Sequence, residues 1–401
     1  MSVILTLNAG SSSVKFSVYL GGSDLAAQAV GQVESLGPKA RLSFGHRGQT
    51  REGLVSAENH TDALRVILET IKPILDGRPV AGIGHRVVHG GKYFEGPEVL
   101  TDTVVAELER LSPLAPLHQP GNLAGIAAAR AAFPNAVQIG CFDTAFHRNH
   151  PWVNDTFALP RKLYDSGIRR YGFHGLSYQY ITDKLRQDWP EIACGRVIVA
   201  HLGNGASMCA LKDGVSIGST MGFSALDGLP MGTRCGQLDP GVILYLLDQG
   251  LSADDITTLL YKESGLKGLS GISHDMRTLL SSDAHHARQA VDYFTFRLKR
   301  EIGAMTAVLG GIDALIFCGG IGEHAPDIRA AAVHDLDYLG LRIDAPTNAI
   351  NATLISAGRV PILVVPTDEE RVIAQATQRF IQAARPGFPI FPQVKAMRAA
   401  L

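Results

Sequence analysis

Apolar positions along the chain follow two periods in turn. Val3–Leu7 is a continuous apolar run, NAGSSS interrupts it, and Val14–Leu20 (VKFSVYL) then alternates as a half-buried strand does. Gly21 and Gly22 close the unit. Strand, small-residue turn, strand predicts a hairpin whose turn is rich in Asn, Gly and Ser. The same figure returns later, where Val197–Ala200 runs into HLGNGAS, then Met208–Leu211 and the turn Lys212–Gly214. A recurrence about 195 residues apart predicts a duplicated domain, since solenoid periods are only roughly 20–50 residues. Helical spacing appears between these figures. Leu64, Ile67, Leu68 and Ile71 share one stripe of Asp62–Lys72, with Thr61 as the expected N-cap. Val104, Leu108 and Leu111 repeat the spacing, and so do Val291, Phe294, Leu298 and Ile302 within Ala287–Leu309. Asp313–Cys318 (DALIFC) predicts a buried strand running into GGIGEH, and Val360–Val365 a strand before a helix over Glu369–Ala384. Strands mixed with helices throughout predict two α/β domains whose sheets are covered by helices. The Pro-rich stretch Arg385–Gln393 predicts an irregular tail.

Composition narrows the class. A length of 401 residues predicts two or three domains at roughly 150 residues each. With 46% hydrophobic and 19% charged residues there is ample material for buried cores. Lys and Arg number 37 against 38 Asp and Glu, a net charge of −1 without a polybasic block, which argues against nucleic-acid or membrane-surface binding. The five cysteines (Cys141, Cys194, Cys209, Cys235 and Cys318) are widely spaced with no CxxC pair, so neither a disulfide framework nor a zinc site is expected. No apolar run approaches the roughly 18 residues a membrane span needs, and the opening residues lack a basic n-region; a soluble cytoplasmic protein is the expectation.

Glycine changes the picture most: 43 of 401 residues, about 11% against the usual roughly 7%. Gly-rich turns near residues 10, 204 and 320 suggest phosphate binding, because bare N–H groups approach anionic oxygens closely. The standard motifs fail. Gly10–Lys15 (GSSSVK) lacks the second glycine of a P-loop, and Gly90-Gly91-Lys92 is followed by Tyr93. Gly320-Ile321-Gly322-Glu323-His324-Ala325 matches a dinucleotide fingerprint only in part, and there is neither HExxH nor GxSxG. Polar residues set among glycines or aromatics form the second group. Arg86, at a strand end before Gly90 and Gly91, suits a bidentate grip on carboxylate or phosphate, or equally a structural ion pair. Asp143, between aromatics, reads as well as a turn or cap residue. His174 lies between glycines after Arg169 and Arg170, Arg234 occupies the loop MGTRCG, and Thr367-Asp368-Glu369-Glu370 begins a helix, where plain capping is the simpler reading. Two arginines, a histidine, carboxylates and Gly-rich loops are the parts phosphoryl transfer requires.

Ten strings in order, NAGSSSVKF, GHRVVHGG, LAPLHQP, FDTAFH, RRYGFHG, HLGNGAS, MGTRCG, HDMR, GGIGEH and PTDEE, make the chain resemble the acetate kinases of the acetate and sugar kinase/heat-shock chaperone/actin superfamily. The resemblance implies an α/β fold of two duplicated ribonuclease-H-like, actin-like domains around a cleft, dimerised as a homodimer. It implies domains over residues 1–147 plus 371–401 and 148–370, the second carrying the nucleotide loops. It implies reversible in-line transfer between ATP and acetate, giving ADP and acetyl phosphate, with propionate or another short-chain acid as the alternative acceptor. Asn8 and Glu369 would organise Mg2+ (or Mn2+), with Lys15, Ser11 and Ser13 near the nucleotide phosphates. The turn His201, Leu202, Gly203, Asn204, Gly205 would be the second phosphate hairpin. Asp275, Met276 and Arg277, with Gly320, Ile321, Gly322, Glu323 and His324, would line adenosine. Arg86 and Arg234 would grip the acyl carboxylate and the moving phosphoryl group, and His174 would bond its equatorial oxygens. Asp143 would orient an arginine or the acyl group. Val88, Leu117 and Phe173 would line the acyl tail, with Ala225 where relatives can carry proline. His324 replaces a frequent asparagine, and Gln237 has no assigned part.

Two readings from other classes compete. A nucleotide switch on the same superfold would not need paired arginines and a histidine in Gly-rich loops. A nicotinamide-dependent dehydrogenase would rest on GGIGEHA alone.

Overall fold

The computed structural model describes residues 3–10, 13–22 and 25–383. By its internal contacts the chain divides into two units: one runs through Ala145 and resumes at Asp368, and the other is Phe146–Thr367.

The first unit carries strands β1 (Val3–Ala9), β2 (Ser13–Leu20), β3 (Ala27–Glu34), β4 (Arg41–His46), β5 (Gln49–Leu54), β6 (Val80–Val87), β7 (Glu98–Val99) and β8 (Val137–Phe142). They form one sheet in the order β5-β4-β3-β2-β1-β6-β8-β7. β1, β2 and β3 pair antiparallel, whereas β6 and β8 join β1 in parallel. The first turn is closed by the Gly10 N–H, which donates to the Ser13 carbonyl at 2.8 Å. The helix His60–Leu75 buries Leu64, Ile67 and Ile71 against this sheet. Its cap is Asn59 and not Thr61: Asn59 Oδ1 accepts from the Asp62 N–H at 3.0 Å. Thr61 already lies inside the first turn, where its N–H and side chain cannot serve as a cap.

The helix Glu369–Ala383 completes this unit by packing on β6. A Cβ at Gly82 would sit 2.7 Å from Ile381 Cδ1, and one at Gly84 would overlap Ile373 and Thr377. Two bare strand positions therefore let the helix lie directly on the sheet.

The second unit holds β9 (Arg196–Leu202), β10 (Ala206–Lys212), β11 (Val215–Ser219), β12 (Ala314–Cys318) and β13 (Ile362–Val364), in the order β11-β10-β9-β12-β13. Here too the first three strands pair antiparallel and the last two extend the sheet in parallel. Laid on β3-β2-β1-β6-β8, the pattern is the same: the duplication is one of topology. Val197, Val199, Ile316 and Leu363 pack here with Tyr178, Ile181 and Leu185 of the helix Gly175–Asp188.

A second expectation is corrected. GGIGEH is not a turn but the helix Gly319–His324. Only Gly319 turns, at φ 76°, and its bare Cα faces the backbone of Leu202. Buried Arg329 donates to the carbonyls of Gly322 at 2.8 Å and Glu323 at 3.1 Å, satisfying acceptors that a short helix leaves open at its end. Ala384 and the segment Arg385–Gln393 lie outside the described residues. Among the described residues no helix is long and apolar enough to cross a membrane.

Candidate active site

In the first unit the parallel strands deliver the chemistry at their ends. Arg86 is the penultimate residue of β6 and Asp143 follows β8 directly, with the Asp143 N–H donating to the Val87 carbonyl at 3.0 Å. The guanidinium meets the Asp143 carboxylate through Nε at 3.1 Å and Nη2 at 2.5 Å. Nη1 donates to Asn8 Oδ1 at 3.3 Å, and Nε lies 3.7 Å from Glu369 Oε2. Burial works against the charge on Arg86, but the surrounding carboxylates of Asp143, Glu369 and Glu370 outweigh it and raise its pKa. Asp143, at 1% exposure, has the guanidinium as a partner, while the cation keeps a face to solvent.

Asn8 and Lys15 face each other across the β1–β2 hairpin in register. The Lys15 side chain is exposed between buried Val14 and Phe16, and Ser13 is half-buried. Ser11 lies outside the described residues. Beside Glu369, Glu370 accepts a hydrogen bond from Thr6 Oγ1, and burial pushes its carboxyl up to about 7. Among the described residues no three His, Cys, Asp or Glu side chains converge as a metal cage. Asn8 and Glu369 nonetheless supply only oxygen donors. That chemistry suits Mg2+, which keeps several waters and takes few protein ligands when it arrives on phosphates.

In the second unit the β9–β10 turn is the centre. His174 precedes the helix Gly175–Asp188 in the left-handed region, φ 58° and ψ 24°. For a residue with a side chain that conformation costs on the order of 1–2 kcal/mol. Its Nδ1 lies 2.8 Å from Ser207 Oγ, and its ring stacks on His201 with centroids 4.3 Å apart. Arg234 donates from Nη1 to the Ala225 carbonyl at 2.9 Å. A Cβ at Gly205 would sit 3.0 Å from Arg234 Nη2 and 3.2 Å from His174 Nε2. The bare turn therefore lets a guanidinium and an imidazole converge. The Gly203 N–H donates to the Gly205 carbonyl at 2.9 Å, and the Gly232 N–H to the Asn204 carbonyl at 3.1 Å, which ties the Arg234 loop to the turn.

The remaining expected residues fall in two groups. Glu323 is engaged by backbone, its Oε1 accepting from the N–H of Gly319 at 2.8 Å and of Thr367 at 3.3 Å, while His324 is exposed. Ile321 is half-buried and Gly320 exposed on that short helix. Asp275 caps the helix Met276–Leu280, and hydrogen bonds from Arg277 hold its carboxyl down to about 2. Val88 is buried and Leu117 half-buried in the first unit; Phe173 is buried and Ala225 half-buried in the second.

Residues 3–375 match the model of the Acetokinase family. The chain belongs to that family. It is thus a kinase whose acceptor is a carboxyl group. A relative named acetate kinase from Methylocella silvestris is 52% identical over 391 residues, covering 93% of this chain and 96% of that protein. The crystal structure of acetate kinase from Porphyromonas gingivalis aligns with a TM-score of 0.86 at 36% identity, covering 95% of this chain and 100% of that one. A structure titled as a propionate kinase from Francisella tularensis aligns at 0.89 and 35% identity, covering 94% and 100%.

Two positions of this acetokinase to which the sequence assigns no part hold these loops. Asn122 donates from Nδ2 to the Ala9 carbonyl at 2.5 Å and accepts from the Val88 N–H at 2.9 Å, joining the ends of β1 and β6. Gln237 Oε1 accepts from Arg297 at 2.9 Å and also from Arg300, anchoring the Arg234 loop to the helix His285–Leu309. The first lies two residues past the quoted LAPLHQP string, its only signal; the second lies three residues past Arg234, with nothing in the sequence to name its partners.

Proposed function

We propose that this enzyme catalyses Mg2+-dependent, reversible, in-line phosphoryl transfer between ATP and acetate. The convergence of His174 and Arg234 over bare Gly205 carries the reading. A carboxylate oxygen is already anionic at neutral pH, so the chain needs no base to deprotonate the nucleophile. The obstacle is repulsion between two anions. Arg234 and Arg86 offset it, His174 donates to the equatorial oxygens of the transferring group, and Asp143 holds the Arg86 fork in one orientation. Lys15, Ser13 and the turn His201–Gly205 take the nucleotide phosphates, with Ser11 in the same role by family likeness. Asp275–Arg277 and Gly320–His324 take the adenosine. Asn8 and Glu369 would hold Mg2+, which supplies charge neutralisation on the phosphates.

By family likeness Val88, Leu117 and Phe173 would contact the acyl tail. One methylene is worth about 1–3 kcal/mol in such a slot, so propionate should be a slower substrate. The likeness to a structure titled as a propionate kinase favours the second reading, a propionate or other short-chain acyl kinase, and Ala225 in place of proline would loosen the wall. Comparing kcat/KM for acetate, propionate and butyrate decides between them.

Hydroxamate trapping of acetyl phosphate from ATP, Mg2+ and acetate tests the activity. Arg86→Ala and Arg234→Ala should each lower kcat by about 10³-fold with nucleotide affinity little changed. Near-parent turnover in either overturns the assignment. Removing Arg86 strips a buried carboxylate of its partner at about 3–5 kcal/mol, so thermal melts must accompany the assays.

A homodimer is part of the proposal. The helix Pro240–Asp248 (PGVILYLLD) is almost wholly apolar yet buries no residue, leaving Leu244 67% and Tyr245 62% exposed. Such a surface fits a second copy of the chain. Light scattering should give twice the chain mass of 42.8 kDa, and Leu244→Asp should halve it. A parent mass of one chain would exclude the dimer.

A further inference from the structure

His147 closes the string FDTAFH and has no part in the proposed chemistry, yet it is fully buried and bonded at both ring nitrogens. Nε2 lies 3.0 Å from the Phe173 carbonyl oxygen, and Nδ1 lies 2.8 Å from Ser216 Oγ. The same Oγ is met by His150 Nε2 at 2.7 Å and by Cys209 Sγ at 3.2 Å.

Counting protons gives this cluster a direction. A carbonyl only accepts, so His147 Nε2 carries hydrogen. Burial pushes His147 down to about 4 and His150 down to about 2, so both rings are neutral near pH 7. A neutral ring protonated at Nε2 accepts at Nδ1, and Ser216 donates to it. The serine has one proton, so His150 must donate from Nε2 into Ser216 Oγ. The chain runs His150, Ser216, His147, Phe173 carbonyl.

It ends on the peptide that enters His174. Because a peptide unit is planar, holding the Phe173 oxygen fixes the Phe173–His174 plane and with it the approach of the chain to the left-handed His174. The adjoining residues are gripped likewise. Arg148 Nη2 donates to the carbonyls of Tyr171 at 3.0 Å and Arg170 at 3.2 Å, and its guanidinium lies over the Tyr171 ring. Gly172 has no side chain where a Cβ would sit 2.6 Å from the His147 ring. On the other side, Ser207 Oγ meets both His174 Nδ1 and the Tyr178 hydroxyl.

We propose that His147, set in its tautomer by Ser216 and His150, is a positioning residue that aims His174 Nε2 at the transferring phosphoryl group. The inference rests on the reading that His174 contacts that group. His147→Asn keeps an acceptor near the Nδ1 position but cannot reach the Phe173 carbonyl; His147→Gln keeps an N–H near the Nε2 position. The Asn variant should lose about 100-fold in kcat, the scale of a misplaced catalytic contact, with KM for ATP and acetate largely unchanged. The Gln variant should recover to within about tenfold of the parent, having lost one neutral hydrogen bond. Parent-like kcat in the Asn variant, equal losses in both, or a loss confined to KM overturns the proposal. His174→Ala separates the two readings: if it turns over like the parent, the role of His174 itself is wrong. If it collapses while His147→Asn does not, only the positioning role is wrong. Nitrogen NMR of the parent near pH 7 needs no variant to fold. Neutral, Nε2-protonated rings at His147 and His150 are expected, and a cationic or Nδ1-protonated ring at either overturns the chain.

Discussion

At the scale of single residues, the absence of a side chain matters as much as any functional group. A methyl at 205 would stand within contact distance of Arg234 Nη2 and His174 Nε2, both of which would have to give way. Gly205→Ala should therefore lower kcat, by at most about 100-fold, since both groups must shift by a few tenths of an ångström, with a melting temperature close to the parent's. Unchanged turnover would mean that this guanidinium and imidazole do not act at this turn. Asp143 shows what a linear sequence withholds. Its neighbours announce a short polar island between aromatics, which equally suits a turn. Its partner Arg86 is 57 residues away, joined to it only because β6 and β8 are parallel neighbours. Asp275 runs the other way: it lies in a string proposed to take adenosine, and its carboxylate bonds to Arg277, two residues on.

At the scale of elements, legibility followed burial. β1, β9 and β12 lie in sheet interiors and read as apolar runs, and the long helix His285–Leu309 reads as a stripe. β5 has every residue exposed, so its sequence carries no alternation; backbone pairing to β4 alone makes it a strand. GGIGEH defies its composition, because three glycines in six residues signal a turn while only one of them makes it. One glycine at positive φ makes the turn, and buried Arg329 stabilises the carbonyls of a helix that composition disfavours. The helix Glu369–Ala383 is legible in the sequence to within one residue, but its docking on β6 is not, since Gly82 and Gly84 signal close approach only when the approaching helix is known.

At the scale of the whole molecule, buried histidines make stability depend on pH. His85, donating to Gln138 Oε1 at 2.7 Å, is pushed down to about 4, as is His147, and His150 to about 2, all chiefly by burial. Their ordinary value is 6.5, so the unfolded chain takes up protons first. Stability is fully present above that value and is lost as pH falls below it, by about 1 kcal/mol per histidine per pH unit. The urea midpoint should drop between about pH 7 and pH 5.5, a window above the ordinary carboxylate range; a flat midpoint would show that these rings are not buried neutral. The amino-acid sequence by itself determined the α/β class, the repeated hairpin and the identity of the chemical groups, because periodicity, turn chemistry and residue type are local properties. Tertiary structure alone decided which guanidinium meets which carboxylate, where bare Cα atoms admit a neighbour, and which tautomer each buried ring holds. Those depend on distances between segments far apart in the chain, set by strand order and packing.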